Sequence, residues 1–181
     1  MPLSSTIHSF DVALSDVDRG TYEQLAIKAA CHPSESPEYL VTRVLAYCLE
    51  YTEGIRFSKG GVSDPDEPPL LVEDLTGART AWIEIGAPDA ARLHKASKAC
   101  ARVAVWTHRE ARTLLRLWEG ARIHRAESIA VHVLDRELVD ALAERLERRM
   151  TLAVLVTDGV LYVTVGEETL SGAVERLVIP S

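Results

Sequence analysis

Glu84 stands in a stretch, Thr80–Ile85, that alternates like a β-strand. Ile83 and Ile85 share one face of it, Trp82 and Glu84 the other. A central strand between helix layers is buried on both faces. A carboxylate there costs on the order of several kcal/mol unless it is paired or metal-bound. The spacing offers a partner. A turn at Thr76-Gly77 folds the segment near Leu70–Val72 back along this strand, which sets Leu70 roughly opposite Glu84. Asp66 and Glu67 then lie at the same end, whereas Asp74, close to the turn, is a poorer partner. An Asp and a Glu meeting at one sheet end are hard-oxygen donors suited to Mg²⁺ or Mn²⁺. Such an ion activates water and stabilises a phosphoryl transition state. An ion pair with an arginine, Arg43 for example, satisfies Glu84 as well, and then the acidic stretch is simply solvated.

A second constellation is basic. Arg109, Arg112 and Arg116 fall at i, i+3 and i+7, and Arg122, His124 and Arg125 follow. The pattern suits phosphate docking, and it also suits a solvated helix face. The six histidines show no paired zinc spacing with each other or with the cysteines. His32, before Pro33, sits at a strand-to-helix corner near Glu38, where capping or a site role are both open. Ser34 and Ser36 read as helix-cap residues, and neither GxSxG nor a P-loop is present. Trp82, Trp106 and Trp118 read as core.

The elements that must position these residues alternate between short strands and short helices. Residues 3–14 and 21–31 read as strands around a turn at Asp16–Gly20. Ser36-Pro37-Glu38 opens a helix with a cap, an N1 proline and an acid suited to the dipole. Its apolar stripe is Leu40, Val41, Val44, Leu45, Cys48 and Leu49, and Gly54 ends it. A strand at Ile55–Phe57 leads to residues 60–69, which carry three prolines and three acids and read as a loop. After the Leu70–Val72 and Arg79–Ile85 strands come a helix from Pro88 to Cys100 and a strand, Arg102–Trp106. That β-α-β step predicts parallel strands with a right-handed crossover. Thr107 with Glu110 reads as a capping box for a helix ending at Gly120. A strand at Ser128–Leu134 precedes a helix from Asp135 to about Met150. Thr151–Val156 and Val160–Val165 flank Asp158-Gly159, a hairpin signal, and Thr169–Ile179 reads as a third strand.

The whole predicts a mixed β-sheet flanked by helices, an α/β or α+β domain, with antiparallel extensions from the strands at the chain ends. Composition agrees. The chain has 181 residues, 47% apolar and 26% charged, which is globular usage and fits a single domain. A net charge of −7 excludes a uniformly basic coat. No apolar run approaches the ~20 residues needed to span a bilayer. The first residues lack a signal-peptide pattern, and three scattered cysteines suit a reducing cytoplasm.

The α-β-β-β-α-β order, with an acid before one hairpin strand and Glu84 on the next, resembles the PD-(D/E)XK nuclease superfamily. More closely, the chain is similar to the YaeQ family of bacterial proteins. The resemblance covers nearly the whole chain. It is carried by His32-Pro33-Ser34-Glu35, Phe57-Ser58-Lys59-Gly60, Asp66-Glu67-Pro68, Asp74-Leu75-Thr76-Gly77, Trp82-Ile83-Glu84-Ile85-Gly86 and Pro88-Asp89. It implies one nuclease-like domain over residues 1–181 with a restriction-endonuclease-like core, in a bacterial cytoplasm, with no membrane partner. It further implies Asp66 and Glu84 as ligands of Mg or Mn, Glu38 as the acid on the first helix, and a nucleic-acid substrate. Glu67 or Asp74 are alternatives to Asp66. One departure matters. The lysine expected two residues after Glu84 is Gly86. Members that carry it on the following helix nominate Lys95 or Lys98, and Lys59 is a further candidate. Leu93, Ala96 and Cys100 define that helix's buried face, from which both helix lysines point away. The resemblance thus implies a metal-dependent nuclease with a displaced lysine, Lys95. Its alternative is a non-catalytic nucleic-acid- or protein-binding module on a degenerate nuclease fold, with a proposed link to transcription elongation.

Overall fold

The computed structural model describes residues 4–59 and 66–180. The expectation of a loop over residues 60–69 therefore falls partly outside the described residues. In chain order the elements are β1 (Thr6–Asp16), β2 (Thr21–Cys31), α1 (Pro37–Leu49), β3 (Ile55–Phe57), β4 (Leu70–Glu73) and β5 (Arg79–Ile85). There follow α2 (Ala90–Ala99), β6 (Arg102–Thr107), α3 (Ala111–Trp118), β7 (Ala130–Leu134), α4 (Arg136–Glu144), β8 (Arg149–Thr157), β9 (Val160–Val165) and β10 (Glu168–Val178). The class is mixed α+β, with mostly antiparallel strands and four helices. The chain divides into two compact units, Met1–Leu49 with Leu134–Glu175, and Glu50–Val133 with Arg176–Ser181. Among the described residues, no helix is long and apolar enough to cross a membrane.

In the first unit the strand order is β2-β1-β8-β9-β10. Period-two alternation puts Phe10 and Val12 of β1 opposite Ile27 and Leu25 of β2, and these four, with Leu14 and Ala29, are buried. The helix α1 buries Leu40, Val44, Leu45 and Cys48. Ser36 caps it as expected, its Oγ accepting the Tyr39 N–H at 3.1 Å. The end strands are antiparallel within their hairpins, but β1 meets β8 in parallel register, Val12 opposite Leu152. The antiparallel extensions expected thus form within the hairpins, and the β1–β8 pair is the exception, because a strand that returns after a long intervening segment is free to pair in either sense. The helix α4 is also shorter than its sequence suggested. Asp135 caps it, accepting from Leu138 N at 3.0 Å. It stops at Glu144, because Glu147-Arg148-Arg149 supplies no apolar stripe and β1 pairs from Ser9 with Arg149 onward.

Asp18, in the β1–β2 turn, ties two hairpin ends together. Its carboxylate accepts the N–H groups of Asp158 at 2.8 Å and Gly159 at 2.9 Å. These two donors sit at the tip of the β8–β9 hairpin, where Asp158 adopts φ 50 and Gly159 φ 73, the left-handed pair of a tight turn. We expect Asp18→Ala to lower unfolding free energy by about 1 kcal/mol, the typical net worth of such exposed bonds. Asp18→Asn should recover part of it in urea denaturation. An unchanged midpoint for the alanine variant would show the clamp to be decorative.

In the second unit the order is β7-β6-β5-β4-β3. The pairs β3–β4 and β4–β5 are antiparallel, β5–β6 and β6–β7 parallel, as the β-α-β reading requires. The core gathers Trp82, Leu93, Val105, Leu114, Trp118 and Val131, so the three-tryptophan core reading holds, with Trp106 4% exposed. Gly54 is irreplaceable where the chain enters β3. Its φ is +92, and a Cβ there would meet the Glu73 carbonyl oxygen at 2.0 Å. The expected capping box at Thr107 does not form. The strand β6 runs through Thr107, whose Oγ1 accepts from Arg109 N at 3.0 Å, and α3 begins after Glu110 without a side-chain cap bond.

Candidate functional site

The hairpin of β4 and β5 does bring the acidic stretch toward Glu84, one position away from the register expected. Leu70 faces Ile83, with a register irregularity between Val72 and Glu73. Asp74 is spent on the turn itself. Its Oδ1 accepts from Thr76 N at 2.9 Å, Thr76 Oγ1 at 2.5 Å and Ala78 N at 3.0 Å, which holds its carboxyl below the usual range. Asp66 and Glu67 remain as neighbours of the strand end.

Glu84 is buried, its side chain 4% exposed. Among the described residues, two donors converge on one of its atoms. The Trp82 indole Nε1 and the Arg92 Nε each donate to Oε1 at 2.6 Å. Trp82 is there because residues i and i+2 share a strand face. Arg92 is there because the first turn of α2, opened by the Asp89 cap on Arg92 N at 2.8 Å, stands at the C-terminal end of β5. Burial pushes the Glu84 carboxyl above the ordinary glutamate value. The Trp82 hydrogen bond and the Arg92 charge pull the other way, and Asp89 adds a little to the rise. The ion-pair alternative for Glu84 is therefore realised, with Arg92 in the role suggested for Arg43. Arg43 instead donates to Glu35 Oε2 at 3.1 Å and Ala30 O at 2.8 Å.

Arg92 also joins the site's two halves, since its Nη2 donates to the Glu67 carbonyl at 2.9 Å. Arg79 pairs with the Glu67 carboxylate at 3.7 Å. The guanidinium carbons of Arg79 and Arg92 lie 5.3 and 5.8 Å from the Trp82 ring centre, a double cation–π arrangement. Lys95 reaches the Asp66 carboxylate, and this hydrogen bond holds Asp66 below the usual range. The wheel argument against Lys95 is right about direction, because its side chain is 52% exposed, yet Asp66 is exposed too and comes to meet it. Lys98 lies exposed in the last turn of α2. Glu73 is held below the usual range chiefly by its hydrogen bond from Arg56, with Lys59 a minor contributor. Glu38 belongs to the first unit, on the opening turn of α1, where its carbonyl accepts from Thr42 Oγ1 at 2.8 Å.

The arrangement does not fit a divalent cation as it stands. Among the described residues no three His, Cys, Asp or Glu side chains gather to hold one. Oε1 of Glu84 is taken by two donors and Asp66 by Lys95. The absent lysine has a backbone cause as well. Gly86 adopts φ 89, a conformation that an L side chain reaches only with strain. Its N–H donates to Trp106 O at 2.9 Å, which fixes that turn. Arg79 and Arg92, which hold the site together, escaped sequence reasoning. The legible signal was positional, since the first helical turn after a parallel strand always stands beside that strand's carboxyl end.

Two further groups complete the second unit. Arg112 and Arg116 lie exposed on α3 and line a groove with Leu115, Glu119, Ala121 and Pro180. Glu50, buried, accepts from Trp106 Nε1 at 2.8 Å and Arg102 Nη2 at 2.5 Å, and Trp106 stacks on His132 at 4.1 Å between ring centres. His32 Nδ1 accepts from Ser34 N at 3.1 Å, within the turn that precedes α1.

A family profile described as YaeQ protein matches residues 1–174. The uncharacterized protein YaeQ of Escherichia coli K12 is 30% identical over 166 residues, 91% of each chain. The YaeQ crystal structure from Pseudomonas syringae superposes with a TM-score of 0.84 at 29% identity over 96% of each chain. That from Xanthomonas axonopodis pv. citri gives 0.88 at 28% identity, covering 98% of this chain and 100% of the other.

Proposed function

The chain belongs to the YaeQ family, and on that footing we propose that it is a cytoplasmic nucleic-acid-binding module on a PD-(D/E)XK-like fold whose cleavage centre has become an ion-pair network. The element order α1-β3-β4-β5-α2-β6 is the αβββαβ order of that superfamily and supports the fold part of the reading. One observation carries the rest. Oε1 of Glu84 holds Trp82 Nε1 and Arg92 Nε, each at 2.6 Å. A cation on that oxygen must first displace a charge-assisted pair inside a buried environment, where such pairs are strongest. Without a cation the site lacks the means to activate water, which leaves binding in place of cleavage. Folds outlive their chemistry in this way.

A second reading, a metal-dependent nuclease, has one observation in its favour: Lys95, on the helix after Glu84, does reach Asp66. The two readings separate in one assay. Labelled DNA and RNA oligonucleotides are incubated with the protein, with and without Mg²⁺ or Mn²⁺, while Mn²⁺ is titrated calorimetrically in parallel. We expect saturable oligonucleotide binding, no cleavage and no saturable Mn²⁺ heat. Cation-dependent cleavage lost in Asp66→Asn and Lys95→Ala, both exposed and safe for folding, would replace the first reading with the second.

A further inference from the structure

We propose that the groove along α3, headed by Arg112 and Arg116, seats the phosphate backbone of the bound nucleic acid; this rests on the binding function proposed above. The placement is not the one that the Glu84 cluster suggests, and the pairing pattern of the arginines is the reason. Arg43, Arg79, Arg92, Arg102 and Arg145 each hold a carboxylate. Arg109, Arg112, Arg116 and Arg122 hold none among the described residues, and all four are exposed. In a chain with a net charge of −7, four exposed arginines between Arg109 and Arg122 without a carboxylate partner create a local positive field, and Arg112 and Arg116 are the two of them that line a groove. At the Glu84 cluster the cations are already engaged by Asp66, Glu67 and Glu84, so a phosphate there would have to compete with carboxylates in place.

The geometry suits an extended backbone. Leu114 and Trp118 are buried, and Trp118 Nε1 donates to Pro88 O at 2.8 Å, which locks the helix in rotation. Arg112 and Arg116 then stand one turn apart on a single exposed line, about 6 Å along the axis. Guanidinium forks bind phosphate oxygens in pairs, and two such forks on one line address successive phosphates of a strand. Leu115, Ala121 and Pro180 add an apolar wall beside them, suited to sugars and bases, and Glu119 is the one acid among the described residues of the lining. Glu119 should oppose binding.

The test is fluorescence anisotropy of a fluorescein-labelled single-stranded oligonucleotide, as DNA and as RNA, between about 50 and 200 mM salt. The proteins are wild type, Arg112→Gln/Arg116→Gln and Glu119→Gln. Surface exposure makes all three fold alike, and a thermal melt verifies it. The double variant should bind at least about tenfold more weakly, with a salt slope shallower by about 1.4, the value for two single-strand phosphate contacts. Glu119→Gln should bind more tightly. The losses should appear with both DNA and RNA, because the phosphate backbone is what they share. Wild-type binding that the double variant keeps intact overturns the groove and leaves the proposed function standing. A wild type that binds neither oligonucleotide overturns both.

Discussion

Replacing Arg92 with alanine should destabilise the protein by roughly 3–5 kcal/mol, the usual cost of leaving one member of a buried ion pair behind. For a chain of this size that corresponds to a melting temperature lower by about 6–20 °C. The side chain of Glu84 is 4% exposed, and Arg92 is the cation that touches it. Its loss leaves Trp82 Nε1 donating to Oε1 with no cation beside it among the described residues. The effect must also depend on pH, with a definite sign. The Glu84 carboxyl is raised in the folded state, chiefly by burial. A raised group favours folding below its unfolded value, here 4.5, and loses that contribution as pH rises through the folded value. Removing Arg92 takes away a group that lowers the folded value, so the rise grows. Arg92→Ala should thus lie close to wild type in acid and fall progressively behind as pH rises above about 4.5. Chemical denaturation across that range reads it directly. A deficit independent of pH would mean that Arg92 acts through packing on Trp82 and not through Glu84.

The same pair separates an ion-pair site from a metal site. Replacing both partners with apolar groups of similar size is frequently neutral or stabilising. Glu84→Met/Arg92→Met should therefore recover most of the stability that Arg92→Ala loses. If Glu84 serves instead as a cation ligand, Mn²⁺ should raise the wild-type melting temperature by mass action and leave the double variant unmoved.

The degree to which the sequence revealed this follows the range of the interactions. Local signals held well. Ser36 and Asp135 cap their helices, the Asp158-Gly159 turn closes its hairpin, and the alternation in Phe10–Leu14 faces the core. Where a local pattern competed with distant pairing, the pairing won. Arg149 and Met150 joined β8 beside β1 and left the helical run that precedes them. The site shows the same division. That Glu84 is buried and needs a partner followed from its strand. That the partner is Arg92 depends on where α2 lands, which no periodicity encodes. Lys95 was nominated from family resemblance against the wheel, and it meets Asp66 because an exposed lysine and an exposed acid both have the reach. Gly86 read as a missing catalytic group, and its backbone conformation gives the position a separate reason to exclude lysine.

Glu50 was no one's candidate in the sequence, because a lone acid after a helix looks solvated, yet its substitution should rank next in cost. Glu50→Ala should lose roughly 2–4 kcal/mol, since it leaves the Trp106 Nε1 donor buried without its acceptor and removes the charge that Arg102 faces. Glu50→Gln keeps an acceptor for Trp106 and should lose less at neutral pH. Its distinguishing mark lies in acid. His132, stacked on Trp106, has its protonation held below the ordinary 6.5, first by burial and then by Arg176 and Arg102, while Glu50 opposes them. A depressed histidine lets the unfolded chain take up the proton first, so stability falls as pH drops from about 6.5 toward the folded value. Without Glu50 the folded value drops further and the loss extends deeper into acid. The Gln variant should therefore show a steeper fall in unfolding free energy than wild type between neutrality and about pH 5. In both proteins the His132 ring resonance should titrate below 6.5 and lowest in the variant. Parallel pH profiles would uncouple Glu50 from His132 and reduce it to a hydrogen-bond acceptor for Trp106. Steeper loss would establish that the carboxylate, by opposing Arg102 and Arg176, keeps the Trp106–His132 stack intact under mild acid.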